Sequence, residues 1–468
     1  MFRRITLIGF GALVLVLILL SSVGSYIYTE WLWFRSLGQA AVFSTALGSR
    51  AAVGAVAGGL FALLLYLILW LGRRSLPLEA QAVGPPLDRL LQPRRLDRVF
   101  LGLSLFLGLL VGLSSSGQWL TFQAFLHRVE FGVAEPVFGL DAGFYVFVLP
   151  IYSFFYRLGG LLFWVSVPVM LFVLLLTGGL EFPRGRVRLA RGARIYLSLV
   201  AAGFFVYKAL GYRLAMFRLL YSPRGVVFGA SYTDVHASLP ALWALVGISL
   251  VAAGLAAATA FRRDHRLLLA GVGLLVGVSL LLGTAYPLLV QQFAVSPNEI
   301  ARERPYIENN IRLTRHAYDL DRIGERPFSA DENLGREDLD RNRDTVDNVR
   351  LWDWRPLQQT YSQLQEIRLY YNFADVDVDR YVVDGRPRQV LLSAREINQE
   401  QLPQQARTWV NLHLKYTHGY GAVVSPATEF TAEGMPVLWV RDIPPQTDAE
   451  PLKISRPEIY YGEQTTGY

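Results

Sequence analysis

Cysteine is absent from the 468-residue chain, which excludes a disulfide framework, a thiolate nucleophile and any Cys-ligated metal site. A continuous basic face is also missing, although the net charge is +7 and the pI about 9.5. The basic residues are scattered over short gaps between apolar runs, the pattern of a topogenic signal rather than of a nucleic-acid footprint. No Ser/His/Asp or Cys/His spacing, metal signature or phosphate-cradling glycine loop occurs, so the sequence names no reaction. No cofactor, no metal and no nucleic-acid partner is expected.

What is there is apolar length. Mean hydropathy is +0.30, and the apolar character is concentrated before a seam near residue 290, where the run Leu267–Val290 gives way to Ser296-Pro297-Asn298-Glu299. Residues 1–298 are strongly net positive and residues 299–468 net negative. The pattern predicts an α-helical transmembrane bundle of seven helices over 1–290, followed by an α+β extracytoplasmic domain over 291–468. Seven runs can cross a hydrocarbon core of about 30 Å, which takes about 20 helical residues. They are Ile5–Tyr26, Ala51–Leu71, Val99–Trp119, Ile151–Leu175, Ile195–Arg213, Ala241–Phe261 and Leu267–Val290. Arg3 and Arg4 before the first run also fit a signal peptide. The aromatic belt Tyr26, Tyr28, Trp31 and Trp33 that follows suits an uncleaved span better.

Arginines set the expected orientation. Arg3, Arg4, Arg73, Arg74, Arg89, Arg94, Arg95, Arg98, Arg184, Arg186, Arg188, Arg191, Arg194, Arg262, Arg263 and Arg266 all fall in gaps on one side. By the positive-inside rule this places the N-terminus in the cytoplasm of a multi-pass protein of the cell membrane. Seven crossings then put the C-terminal domain outside the cytoplasm. Glycines four apart (Gly54/Gly58, Gly108/Gly112, Gly273/Gly277) allow close helix packing within the bundle, with a homo-oligomer face as the alternative. Lys208 is the basic side chain deep enough in a span to need explaining, either snorkelling to the interface or lining a transport path.

Past the seam, Ser296 and Glu299 match a capping box and Pro297 a first helical position, so a helix should start there, break at Pro305 and resume over Tyr306–Tyr318. Asp319–Val349 reads as an irregular charged segment. An amphipathic helix is expected from Leu357 to about Tyr370, and Val376–Val383, Asp384-Gly385 and Val390–Leu392 read as a β-hairpin. Asp375, Asp377 and Asp379 fail the calcium-loop pattern, because Arg380 stands in place of the glycine and Arg386 in place of the glutamate. A solvated acidic face is expected there, with an unconventional cation site as the alternative. Pro403 should open a helix running to Lys415, and Ala422–Ser425 and Pro436–Arg441 should be strands. His413 and His418 are five apart rather than four and lack the intervening glutamate of a zinc helix, so they remain site candidates without a metal.

Several stretches together resemble an uncharacterised family of bacterial and cyanobacterial multi-pass membrane proteins, number 0182 of its series. They are Gly229-Ala230-Ser231-Tyr232-Thr233-Asp234-Val235-His236; Glu303-Arg304-Pro305-Tyr306-Ile307-Glu308-Asn309-Asn310-Ile311 with Thr314-Arg315 and Ala317-Tyr318; Val376-Asp377-Val378-Asp379-Arg380-Tyr381; and Tyr416-Thr417-His418-Gly419-Tyr420-Gly421. The resemblance implies N-terminal transmembrane helices and a large outer domain, and it implies no reaction. It also implies that similar proteins continue beyond Tyr468, so the chain is expected to be truncated. The first reading is an integral membrane protein, in contact with the lipid bilayer and an envelope protein partner, whose outer domain binds or scaffolds. The alternatives are a transporter or channel component and an outer-face enzyme.

Overall fold

The computed structural model describes residues 18, 21–75, 92–181, 188–262, 266–328 and 333–464. The chain divides into two compact units, Met1–Ile323 and Gly324–Tyr468. The first predicted span, Ile5–Tyr26, lies largely outside the described residues; residues 21–36 are helical.

In the first unit the described residues hold six helices long and apolar enough to cross a membrane. They are α1 (Ala40–Arg74), α2 (Pro93–Ser116), α4 (Phe144–Leu176), α5 (Arg191–Tyr221), α6 (Asp234–Phe261) and the run that opens at Arg266. A short helix, α3 (Trp119–Leu126), follows α2 and lies on the bundle, with Phe122 edge-on to Phe154 at 5.2 Å and Gln123 donating to Ser49. The last run passes from Arg266 through the 3-10 turn Ser296–Asn298 as α7. It then bends at Asn298 (φ −144°, ψ 56°) into α8, Glu299–Ala317.

Each of the four π turns among the described residues of this unit directly precedes an X-Pro pair. Phe144–Val148 leads into Leu149-Pro150, Asp234–Ser238 into Leu239-Pro240, Leu281–Ala285 into Tyr286-Pro287, and Gln291–Val295 into Ser296-Pro297. Proline lacks the N–H and crowds the carbonyl one turn back, and a widened turn ahead of it relieves both problems without ending the helix. The expected break at Pro305 does not occur either, since α8 runs through it. Ser296 makes no capping box: its hydroxyl donates back to the Gln291 carbonyl, and the helical start falls at Glu299.

Three apolar clusters hold the described part of the bundle, the smallest built on Tyr145, Leu149 and Phe217. Of the two larger ones, one joins Phe61, Leu65 and Leu69 of α1 to Phe100, Leu162, Met170 and Tyr196; the other joins Phe205 to Leu245, Ala252, Ala256 and Leu275. Helices α1 and α2 meet through the two predicted glycine pairs. A Cβ on Gly58 would run into the Gly108 carbonyl oxygen, and one on Gly112 would stand 2.6 Å from the Gly54 carbonyl oxygen. Gly273 and Gly277 instead have nothing within 4 Å.

The second unit is α+β. With β1 (Leu180–Glu181) and β2 (Arg188–Leu189) an antiparallel pair of the first unit and β6 (Gly419–Tyr420) paired apart with β10 (Glu458–Ile459), the sheet of the second unit runs β3 (Tyr371–Phe373), β5 (Arg386–Ile397), β7 (Ala422–Pro426), β8 (Val440–Arg441), β9 (Gln446–Thr447), with β4 (Asp377–Val383) also paired to β5. All pairs are antiparallel, and β3 and β4 share one edge of β5 in tandem. The predicted hairpin is present: Asp384 (φ 53°) and Gly385 (φ 75°) take the two left-handed positions that a two-residue type I′ turn needs. Alternation along β5 sends Leu391 to a core with Leu357 and Tyr361 of an overlying helix (Trp354–Gln365), and Val390 to one with Val424, Trp439 and Val440.

Three expectations in this unit are corrected. Asp319–Val349 contains two short helices, Arg336–Arg341 and Arg343–Val346, whose turns carry Arg/Asp pairs three or four apart. Pro403–Lys415 is not one helix but a 3-10 turn, Gln404–Ala406, and a π turn, Asn411–Lys415, because the Arg407 and Asn411 side chains take the Leu402, Glu400 and Ala406 carbonyls. Of Pro436–Arg441 only Val440 and Arg441 form a strand.

The glycine interface gives a test. Gly58→Val should cost about 1–3 kcal/mol through forced separation of α1 and α2, read as earlier loss of folded protein on heating in detergent, while Gly273→Ala should leave the midpoint unchanged.

Candidate functional site

A helix that begins within a packed bundle leaves its first backbone N–H groups without intrahelical partners. At the start of α6 the chain satisfies them twice over. Ser231 and Asp234 form a reciprocal capping box: the Asp234 N–H donates to Ser231 Oγ at 3.2 Å, and the Ser231 N–H donates to Asp234 Oδ2 at 3.3 Å. The Tyr232 N–H points at both carboxylate oxygens of Glu303 on α8, at 3.1 and 3.2 Å. Glu303 is 1% exposed and Asp234 also 1%. Arg224 balances Asp234 at 3.1 Å and donates to Ser238 at 3.0 Å.

Glu303, Tyr306 and Asn310 recur at helical spacing, so one face of α8 makes all three contacts. The Tyr306 hydroxyl meets Nδ1 of His236 at 3.2 Å, and Asn310 donates to the Phe228 carbonyl at 2.8 Å. Tyr232 carries two further contacts, with His236 stacked on it at 4.1 Å and the Arg302 guanidinium 5.3 Å from its ring. Farther back, Thr233 donates to Gln291 of α7. Two of the stretches singled out in the sequence, 229–236 and 303–311, are therefore the two halves of one clamp.

Sequence reading also missed an internal likeness. Val-Phe-Gly at 137–139 and at 227–229 is followed in each case, ten residues after the glycine, by Leu-Pro. Both glycines have positive φ (68° and 134°), and both stretches lead into a π turn. At the first copy the carboxylates are local: Glu135 accepts from the Val137 and Phe138 N–H groups and the Tyr145 hydroxyl, and Asp141 from Phe131 and Gly143. The repeated offset of ninety residues was the signal available.

Lys208 lines an apolar groove among the described residues. Its ammonium lies 5.1 Å from the Tyr212 ring centroid, in a groove of about 480 Å³ lined chiefly by apolar side chains such as Phe205, Leu275 and Val276. It is not the only cation within a span, since Arg157 of α4 neighbours it in level. Tyr156 and Tyr207, the residues before these two, stack at 4.3 Å and 6°. Each tyrosine hydroxyl packs on a glycine of the opposite helix, Tyr156 on Gly211 and Tyr207 on Gly160.

In the second unit the structure brings neither histidine to a ligand set. His413 Nδ1 lies 3.0 Å from the Trp409 carbonyl and its ring stacks on the Trp409 indole. His418 is bonded to the Thr417 hydroxyl at 2.9 Å and tilts against Tyr460. The stretch around His418 serves Arg395, which is 0% exposed. This guanidinium donates to the carbonyls of Gln365, Tyr420 and Asp442 and to Gln365 Oε1. Desolvation pulls its pKa down to about 10, against the opposing pull of Asp442. A side chain at Gly419 would strike the Arg395 carbonyl, and Gly421 holds φ 74°.

Asp375, Asp377 and Glu463 bring carboxylate oxygens within 4.8 Å of one another, while Asp379 turns to its own neighbour, accepting from the Arg380 N–H. Burial, then Asp377 and Glu396, push the Asp375 pKa up; Asp375 and its neighbours do the same to Glu463. Three carboxylates at this spacing can hold a divalent cation.

The sequence comparisons bear on the clamp and the buried arginine together, because one family profile runs through both, over residues 7–468. The chain belongs to the uncharacterised protein family UPF0182. It is 45% identical to a UPF0182 protein of Pelotomaculum thermopropionicum over 100% of this chain and 52% of that protein. It is 41% identical to one of Cupriavidus necator (98% and 50%) and 37% identical to one of Trichodesmium erythraeum (99% and 50%). The chain thus spans about half the length of the UPF0182 relatives it matches. No solved structure matches it.

Two outcomes test the site. Glu303→Ala strips the α6 N-terminus of its buried acceptor and should cost about 1–3 kcal/mol, whereas Glu308→Ala, an exposed pair with Arg304, should change the detergent melting midpoint little. For the acidic trio, a carboxyl whose folded pKa is raised binds its proton more tightly folded than unfolded, so stability falls as pH rises through that window. Asp375→Asn should therefore raise the midpoint at pH 7 by about 2 °C and leave it unchanged near pH 3. Millimolar calcium should shift neither protein if the trio is a solvated face; a calcium-induced rise confined to the wild type would make it a cation site.

Proposed function

We propose that this UPF0182 chain is an integral protein of the cytoplasmic membrane, with its N-terminus in the cytoplasm and residues from Glu299 onward outside, where they serve as a binding or scaffolding surface in the cell envelope. Connectivity supports this reading. The C-terminal ends of α1, α4 and α6 and the N-terminal ends of α2, α5 and α7 share one side of the bundle, and the arginine-rich stretches of sequence are the ones that connect them. At that side Arg73 pairs with Asp97 at 2.5 Å, and Arg74 covers Trp70.

The observation that carries the proposal is the clamp. Glu303, Tyr306 and Asn310 pin α8 to the N-terminal end of α6, and that is the end opposite the arginines. A polar helix fastened rigidly there serves as a mount for the chain that follows. Reporter fusions test the address. Alkaline phosphatase fused after Ala317 or Tyr468 should be active and a cytosol-dependent fluorescent protein dark at both points. A fluorescent fusion at either position with inactive phosphatase would refute the orientation. In-membrane cross-linking of the full chain should then yield adducts to envelope proteins from exposed positions of 324–464 and none from the same positions after the orientation is inverted.

A further inference from the structure

Arg157 is an arginine with no carboxylate within ion-pair distance among the described residues, set into an otherwise apolar helix with its side chain exposed. It flanks a groove of about 400 Å³ between α1, α2 and α4. The floor of the groove is apolar, with Phe61, Val111 and Leu161, while Ser114 and Gln118 stand with Arg157 among its polar members. Gln118 accepts from Thr121 through Oε1, which leaves its amide N–H groups as donors.

Depth decides what such a group wants. Leu176 at the end of α4 is level with Arg191 at the start of α5, given that Tyr156 packs on Gly211 and Tyr207 on Gly160 in this antiparallel pair. Arg157 lies nineteen residues from Leu176, about 28 Å along a helix rising 1.5 Å per residue. A hydrocarbon core is about 30 Å thick. If the arginine-rich ends lie at one edge of the core, Arg157 reaches the other edge, where headgroup phosphates begin. A guanidinium is permanently charged and offers a planar fork that matches a phosphate in two bonds. An apolar slot running away from it toward the bilayer centre has the shape and chemistry of an acyl-chain seat.

We propose that this groove is a binding site for a glycerophospholipid of the leaflet opposite the arginine-rich ends, with its phosphodiester on Arg157, supported by Gln118 and Ser114, and one acyl chain lying along Phe61, Val111 and Leu161. The proposal rests on the membrane reading above. The Tyr156–Tyr207 stack sets the height of Arg157, so the site is built into the bundle rather than carried on a loop. Lys208 is covered by the Tyr212 ring and lines a different groove.

The test uses the full chain, delipidated in mild detergent and titrated with dioleoyl-phosphatidylglycerol, with one-to-one adducts counted by native mass spectrometry. Dioleoylglycerol, which has the same chains and no phosphate, should bind at least tenfold more weakly. Millimolar inorganic phosphate should not compete. Arg157→Gln and the slot-filling Leu161→Trp should each weaken the adduct at least tenfold, Arg157→Lys should weaken it less, and Lys208→Gln should leave it unchanged. Equal binding by wild type and both Arg157→Gln and Leu161→Trp would overturn the site, as would equal binding of dioleoylglycerol or displacement by inorganic phosphate. If Arg157→Gln fails to fold, Leu161→Trp and the two lipids decide. Alkaline carbonate washing separates the two failures: release of the wild-type chain from membranes sinks the membrane reading, whereas retention with no lipid preference sinks this proposal alone.

Discussion

Backbone N–H groups that water cannot reach must find acceptors, and the start of α6 is where this demand is heaviest. The chain answers with two carboxylates, one local and one from a helix seventy residues away. Asp234 closes the first turn with Ser231, and Glu303 receives the next free N–H from Tyr232. Both carboxylates are desolvated, and among the described residues Asp234 alone has a cation, Arg224, in contact. Removing either partner of such a set leaves a buried polar group without compensation, which costs far more than the bond itself contributes. The position of α8 is therefore fixed by electrostatics at one point and by Tyr306 and Asn310 only secondarily.

The same demand arises at the start of α4 and is met differently. There Glu135 and Asp141 come from the entering loop itself, and no distant helix is recruited. The shared Val-Phe-Gly and Leu-Pro frame shows one way of bringing a chain into a bundle used twice: a left-handed glycine, a capped start, and a π turn that makes room for the proline. Only the second copy is tied to the helix that leaves the bundle. The difference lies in which residue supplies the outside carboxylate, not in the backbone.

Much of this was legible beforehand. Runs of about twenty apolar residues can be nothing but helices in lipid, so the spans over the described residues are where hydropathy puts them. The Asp384-Gly385 turn was legible because two successive left-handed positions tolerate few residues. Contacts between distant stretches were not: the bond between Tyr232 and Glu303 leaves no periodicity in either segment, and only the family resemblance set both apart. Arg157 was overlooked for a different reason. A single arginine inside Ile151–Leu175 barely lowers the average of so apolar a run, and hydropathy averages charge away where its placement matters most. The helix expected over Pro403–Lys415 failed because propensity ignores side chains such as Arg407 and Asn411 that take backbone carbonyls for themselves.

Glycine placement links the two units in logic. In the bundle, Gly54, Gly58, Gly108 and Gly112 let backbones meet where lipid offers no hydrophobic drive to hold helices together, so dispersion over a close interface has to do that work. In the second unit, Gly419 lets a strand lie over the Arg395 backbone. There the close approach delivers a carbonyl, that of Tyr420, to a guanidinium with no water to solvate it. An arginine buried without a bidentate carboxylate is stable only while every N–H finds an acceptor. That requirement explains why the Gly419-Tyr420-Gly421 stretch, Gln365 and the Asp442 carbonyl converge on one side chain. The stretch next to His418, a site candidate in the sequence, thus supplies part of the shell that makes a buried charge tolerable.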